Sequence, residues 1–219
     1  FNSYDFSEKH LSARGNAFYN YCFSLHCFCK DELDKAKTAA ENARNYYESS
    51  REPWELMNSD AILSALSFFD CEFETVKEIG ENVKVLAQQY HSPMNIGWAL
   101  GLLPFVKYCQ GKLSAEIASI QIADSILFSE CVQDHAYLAF TYSNLAFISR
   151  RAGSCTDTLQ YAKKIITEVK ASQVRMHMFI EPLAEAVESF VFALRNGSVD
   201  LSEKNQINKL IKFAMNKLK

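Results

Sequence analysis

The stretch YCFSLHCFC holds the most ligand-like residues of the chain. Cys22, His26 and Cys29 stand at i, i+4 and i+7, which puts two thiols and an imidazole on one face of a helix. Zinc accepts such donors but takes four of them at a structural site, and no second ligand cluster accompanies these three. The same residues also read as small hydrophobes on an apolar helix. Cys131 and His135 have a spacing that would suit a nucleophile and its base, and His177 and Glu181 one that would suit an acid–base pair. Helical spacing produces such pairs by chance, because residues four apart are neighbours on any helix. The chain has no Gly-rich phosphate loop, no paired-His zinc helix and no nucleophile elbow. The expectation is a protein without catalytic residues, bound metal or cofactor.

The elements that would position these residues are helices. The 219 residues include only 7 Gly and 4 Pro, with 48% hydrophobic and 22% charged residues. Scarce breakers with abundant Ala, Leu, Lys and Glu favour long helices over tight turns. A net charge of −3 gives no electrostatic reason to bind nucleic acid. The start, FNSYDFSEKH, lacks the basic region and apolar core of a signal peptide. The longest apolar run, Ile96 to Val106, is about half a membrane span and is interrupted by Pro104. Seven cysteines, an odd number set mostly in apolar helical patterns, suit a reducing cytoplasm. The chain begins at Phe1, and is read as a fragment or processed product of a larger protein.

A repeat organises the chain. Breaks follow apolar helices at Asp31, Cys71, Gly111 and Gly153, in steps of 40, 40 and 42 residues. Eight places before each break stands Phe23, Leu63, Leu103 or Leu145, followed by the compact Ser24, Ser64, Pro104 or Ala146. Twelve places after it stands Ala43, Val83, Ala123 or Ile165. Pro53 and Pro93 lie one period apart at helix starts, where a missing N–H costs nothing. Ser92 is the expected N-cap before Pro93, and Asp134 takes the same place before HAYLAF. Second helices are expected at about 32–49, 72–90, 113–130 and 155–171. A fifth pair is expected in weaker register. Its first helix, about 176–195, contains Pro182 as a kink or a late start, and its second opens with a capping-box spacing, Asp200 to Glu203. Its lysines allow a membrane- or partner-binding helix, but a polar outer face is also what the closing helix of a stacked array requires.

Aromatic, Leu, small residue, Gly and later Ala in this order resemble tetratricopeptide repeats. YSNLAFISRRAGS, residues 142–154, carries the resemblance best, followed by LGLLPFVKYCQGKLSAEIASIQIADSI. The match is degenerate: Asp31 and Cys71 stand where a turn Gly is usual, and the period exceeds 34 residues. Longer, degenerate repeats are similar to the sensory arrays of multidomain regulators. The resemblance implies an all-α fold, a right-handed α-α superhelix of about five helix pairs, in one domain spanning 1–219. The repeats would cover about 12–49, 53–90, 93–131, 134–172 and 176–219.

The resemblance also implies that first helices line a concave binding face. Carried over through the breaks, that face holds Tyr21 and Phe28 in the first unit, with Phe18 and Leu25 beside them. It holds Phe68 in the second, with Asn58, Ala61, Ala65 and Phe69. The third contributes Trp98, Phe105 and Tyr108, and the fourth Phe140, Asn144, Phe147, Arg150 and Arg151. Each aromatic reads either as groove lining or as core of a tightly wound array. Asn144 stands where peptide-binding members of the family place an Asn against a peptide backbone, but Cys22, Ile62 and Leu102 take that position in the other units. Arg150 and Arg151 offer cations to a carboxylate, or a solvated helix end that suits the local dipole.

The expected function is a protein- or peptide-binding scaffold. It would be the interaction or sensory domain of a larger cytoplasmic signalling or transcription regulator, with a homodimer among its candidate partners and neither nucleic acid nor membrane. The alternative is a superhelix that encloses a small ligand in a pocket with a few convergent polar groups.

Overall fold

The computed structural model describes residues 11–172, 180–197 and 199–218, apart from the side chain of Cys29. Among them are ten α-helices and no strand. They run α1 (Ala13–Cys29), α2 (Leu33–Ser50), α3 (Pro53–Phe69), α4 (Phe73–Gln89), α5 (Pro93–Cys109), α6 (Ala115–Cys131), α7 (His135–Arg151), α8 (Cys155–Ala171), α9 (Ile180–Asn196) and α10 (Leu201–Lys217). The all-α class and five consecutive helix pairs expected from the sequence are what the structure has. The chain divides into two compact units, residues 1–91 and 92–219, each described by itself below.

One turn device recurs through both units. Asp31, Arg51, Cys71, His91, Gly111, Gln133 and Gly153 all have positive φ, between 52° and 80°. Each sits one or two residues past a helix end, where a left-handed residue reverses the chain and lets N–H groups reach the last carbonyls. Cys71 N–H, for example, donates to the Phe68 carbonyl and Glu72 N–H to that of Ser67. The same device therefore closes turns within a pair and between pairs. Only two of the seven are glycine, so the other five carry the steric cost of a Cβ in that conformation.

In the first unit α1 packs on α2, α2 on α3 and α3 on α4, with α1 also touching α3. Small residues let α1 and α2 approach: Ala17, Ala43 and Tyr47 form one cluster, closed by Tyr21, Tyr46 and Leu56. Cys27, Ala36 and Leu66 form another, with Phe23, Phe28, Leu33 and Ile62 packed on it. Among the described residues of this unit one charged side chain is buried. Asp60 is 1% exposed and accepts from Arg44 Nε at 2.7 Å, joining α3 to α2.

In the second unit successive helices pack in series, and α5 lies against α7, α7 against α9, and α8 against α10. The first helices of the three pairs thus lie side by side in one layer. Gly97 and Gly101 bring α5 close to its partner: a Cβ on Gly97 would lie 3.0 Å from that of Phe128. Pro104 sits inside α5, which continues to Cys109, and Pro182 stands three residues into the described α9.

The caps follow the expected residues with two changes in chemistry. Asp134 accepts from the N–H groups of Ala136 and Tyr137, both at 3.0 Å. Ser92 occupies the N-cap of α5, but its hydroxyl makes no cap bond and instead accepts from buried Asn95 Nδ2. Asp200 accepts from Glu203 N–H at 2.8 Å, which is half of a capping box. The Glu203 carboxylate turns away to Lys163 of α8, at 2.8 Å.

Candidate functional site

In the second unit the face shared by α5, α7 and α9 gathers the candidate residues. Phe140, Asn144, Phe147 and Arg151 stand four, three and four residues apart, so they line one side of α7. Phe147 is half-buried. Its ring lies 5.5 Å from that of Phe105 on α5, edge to face at 83°, the geometry that aromatic quadrupoles favour. The Arg150 guanidinium carbon lies 5.6 Å from the Phe147 ring centroid and that of Arg151 5.4 Å, within cation–π range.

The two arginines differ in commitment. Arg150 Nε and Nη2 donate to both carboxylate oxygens of Glu185 on α9, at 3.1 and 2.8 Å, and Nη2 also lies 2.8 Å from Glu188. Hydrogen bonding to Glu185 raises the Arg150 pKa further above its ordinary value. Arg150 therefore ties two first helices together. Arg151 is exposed and takes part in no ion pair among the described residues. Its guanidinium rests on the Phe147 ring with its N–H groups unpaired by any carboxylate among the described residues.

Beside the Arg150 pair, Glu181 lies one turn before Glu185 on α9. It is only partly exposed. Burial, reinforced by the Glu185 charge, pushes its carboxyl up to about 7.

The remaining candidates of this unit occupy different environments. Trp98 is 7% exposed and Phe105 6%, so both are chiefly core, with Phe105 meeting the face through Phe147. Tyr108 and Phe140 are half-buried. Asn144 is 2% exposed, and its Nδ2 has no hydrogen-bond partner. It lies beneath the face rather than on it. An unsatisfied buried amide is costly, and a backbone carbonyl reaching it would remove that cost.

In the first unit the structure separates the candidates. Tyr21 belongs to the Ala17–Ala43–Tyr47 cluster, where burial raises its hydroxyl pKa. Phe68 stacks edge-on to Phe73 across the α3–α4 turn, at 5.6 Å. Phe28 meets Phe69 at 5.8 Å, and Phe69 is 49% exposed, so this pair is an accessible aromatic contact, as is Tyr19 stacked on Phe23. Phe18 is 61% exposed.

Glu185 and Glu188 are site residues that sequence reasoning missed. Their signal was the i, i+4, i+7 run of Glu181, Glu185 and Glu188 on the first helix of the fifth pair, the pair in weakest register. Of the other candidate chemistry, Cys22 is exposed, while the Cys29 side chain and His177 lie outside the described residues. Among the described residues no group of three or more His, Cys, Asp or Glu is placed to hold a metal. His135 hydrogen-bonds Glu168 of α8 at 2.8 Å. No helix among the described residues is long and apolar enough to cross a membrane.

No protein-family model matches the chain, and no curated protein matches it. Solved structures do. Two crystal structures of a Podosopora anserina kinesin light chain protein with nearly identical tetratricopeptide-like repeats superpose with a TM-score of 0.55 at 9% identity. One is a single-substitution variant. The match covers 95% of this chain and 97% of the other in one case, and 94% and 97% in the second. At that identity the likeness establishes the fold: a tetratricopeptide-like helical repeat.

Proposed function

From this fold we propose that the chain is a protein- or peptide-binding scaffold, and that the Phe147–Arg151 side of α7 is its contact surface. The observation that carries the reading is the pairing on one accessible face of a half-buried aromatic ring with an uncommitted guanidinium. That arrangement suits a ligand presenting an apolar side chain next to a carboxylate: the ring takes up apolar surface, and the fork of Arg151 pairs with the anion. Arg150 keeps α7 and α9 in position and is not available to the partner. The unsatisfied amide of Asn144 suits a backbone carbonyl of the partner. A net charge of −3 disfavours nucleic acid. A scaffold of this kind fits an interaction domain within a larger signalling or transcription regulator.

A thermal-shift screen against acidic aromatic peptides and against metabolites, run beside light scattering, tests the reading. A shift of several degrees with acidic aromatic peptides supports it. A shift with one metabolite and no peptide assigns the chain to small-ligand sensing instead. Dimerisation that Arg151→Glu abolishes would make a second copy the partner.

A further inference from the structure

The outer face of α6 is more apolar than those of α2, α4 and α8. Its third, sixth and thirteenth residues are Ile117, Ile120 and Leu127, exposed by 47%, 62% and 65%. The same positions hold Lys35, Thr38 and Asn45 in α2, and Asp157, Gln160 and Thr167 in α8, all exposed. In α4 they hold Thr75, Glu78 and Val85. A second helix buries one side against its first helix and leaves the other to water, which is why polar residues belong there. α6 is instead apolar on both sides. Ile122 and Ala118 are fully buried, while Ile117, Ile120 and Leu127 form a stripe on the opposite side, one and two turns apart.

The charges that α6 itself carries are all of one sign. Asp124 lies within it, and Glu116 and Glu130 lie along one edge. Residues 115–131 contain no Lys or Arg. Contiguous apolar surface rimmed by polar groups marks a contact site, and the rim identifies what fits it. A second α6 packed across this face would set acids against acids. An anionic membrane surface would be repelled for the same reason.

We propose that the outer face of α6 docks a basic amphipathic helix, with apolar residues at i, i+3 or i+4 and i+7 against the Ile117–Ile120–Leu127 stripe and Lys or Arg facing Asp124, Glu116 and Glu130. This surface is independent of the Phe147–Arg151 face.

The test uses a fluorescein-labelled helical peptide of about 18 residues, matched to the length of α6, with a Leu stripe flanked by Lys along its edges and one Lys set within the stripe opposite Asp124. A control peptide carries Glu in place of Lys. Anisotropy should show binding of the Leu–Lys peptide at micromolar concentration, weakening as salt is raised, and no binding of the Leu–Glu peptide. The double variant Ile120→Gln with Leu127→Gln should weaken binding about tenfold or more. Asp124→Lys should weaken it and reduce its salt dependence. All three positions are exposed, so each variant should melt at the wild-type temperature. Phe147→Ala should leave this binding unchanged, which separates it from the α7 surface. Absence of binding, equal affinity for both peptides, or affinity unaltered by the α6 variants would overturn the proposal. So would a dimer of the free protein that Ile120→Gln with Leu127→Gln dissociates, because a second copy would then be the occupant.

Discussion

Arg150 holds both carboxylate oxygens of Glu185 from the helix next but one, at 3.1 and 2.8 Å. A bidentate pair of this kind fixes direction as well as distance, so it sets how α7 and α9 face each other. Arg150→Ala would leave Glu185 without a cation beside Glu181 and Glu188, held by the Ser189 hydroxyl at 2.8 Å. Urea unfolding should show a loss of about 2–3 kcal/mol. Arg150→Lys keeps the charge but loses the fork, and should recover only part of that loss.

The Arg44–Asp60 pair predicts an asymmetry. Burial raises the Asp60 pKa, and Arg44 opposes that rise. Arg44 remains partly solvated and has a second partner in Glu48, at 2.9 Å. Removing the arginine strands a buried charge, whereas removing the aspartate strands nothing. Arg44→Ala should therefore cost about 3–5 kcal/mol, and Asp60→Leu clearly less, although Asp60 is the more buried residue. Denaturation midpoints of the two variants check the order.

Glu181 gives the second unit a pH dependence. Its carboxyl titrates at about 7 in the folded chain, against an ordinary value of 4.5. Between those values the folded state holds a proton that the unfolded state has released. The stabilisation is complete below about pH 4.5 and is lost as pH rises through 7. The span corresponds to about 3 kcal/mol. Glu181→Gln should flatten the decline in melting temperature between pH 5 and pH 8, and should be more stable than wild type at the upper end.

The turns supply a further prediction and show how far the sequence could be read. The breaks at Asp31, Cys71, Gly111 and Gly153 mark four left-handed residues, but Arg51, His91 and Gln133 do the same job at the turns between pairs. Nothing in those residue types announces positive φ, because the conformation is imposed by the packing of the flanking helices. Cys71→Gly should stabilise the chain by about 0.5–1 kcal/mol by relieving the Cβ clash. Gly111→Ala should destabilise it by about 1 kcal/mol, since its surroundings are open and only the backbone resists. Melting temperatures of the two variants should move in opposite directions.

The helix pairs were legible because apolar spacing and breaks repeat along the chain. The candidate site was legible only in part. Register places Phe105 and Phe147 on first helices, but it cannot say that Trp98 is core or that Tyr21 is claimed by Tyr47 and Ala43. Those outcomes depend on which helix lies alongside. The commitment of Arg150 was invisible for the same reason, its partner standing 35 residues away. The α6 stripe is hard to read from the sequence because a helix with apolar residues on two opposite sides offers little contrast between buried and exposed positions.

Titration calorimetry with an acidic aromatic peptide, comparing wild type with Arg151→Glu and Phe147→Ala, decides whether the α7 face is a recognition surface. Each substitution should weaken binding about tenfold or more, with no change in melting temperature for Arg151→Glu, and a Lys-for-Glu exchange in the peptide should restore affinity to that variant. Binding that both substitutions leave unchanged would mean that Phe147 and Arg151 serve only the packing of the array.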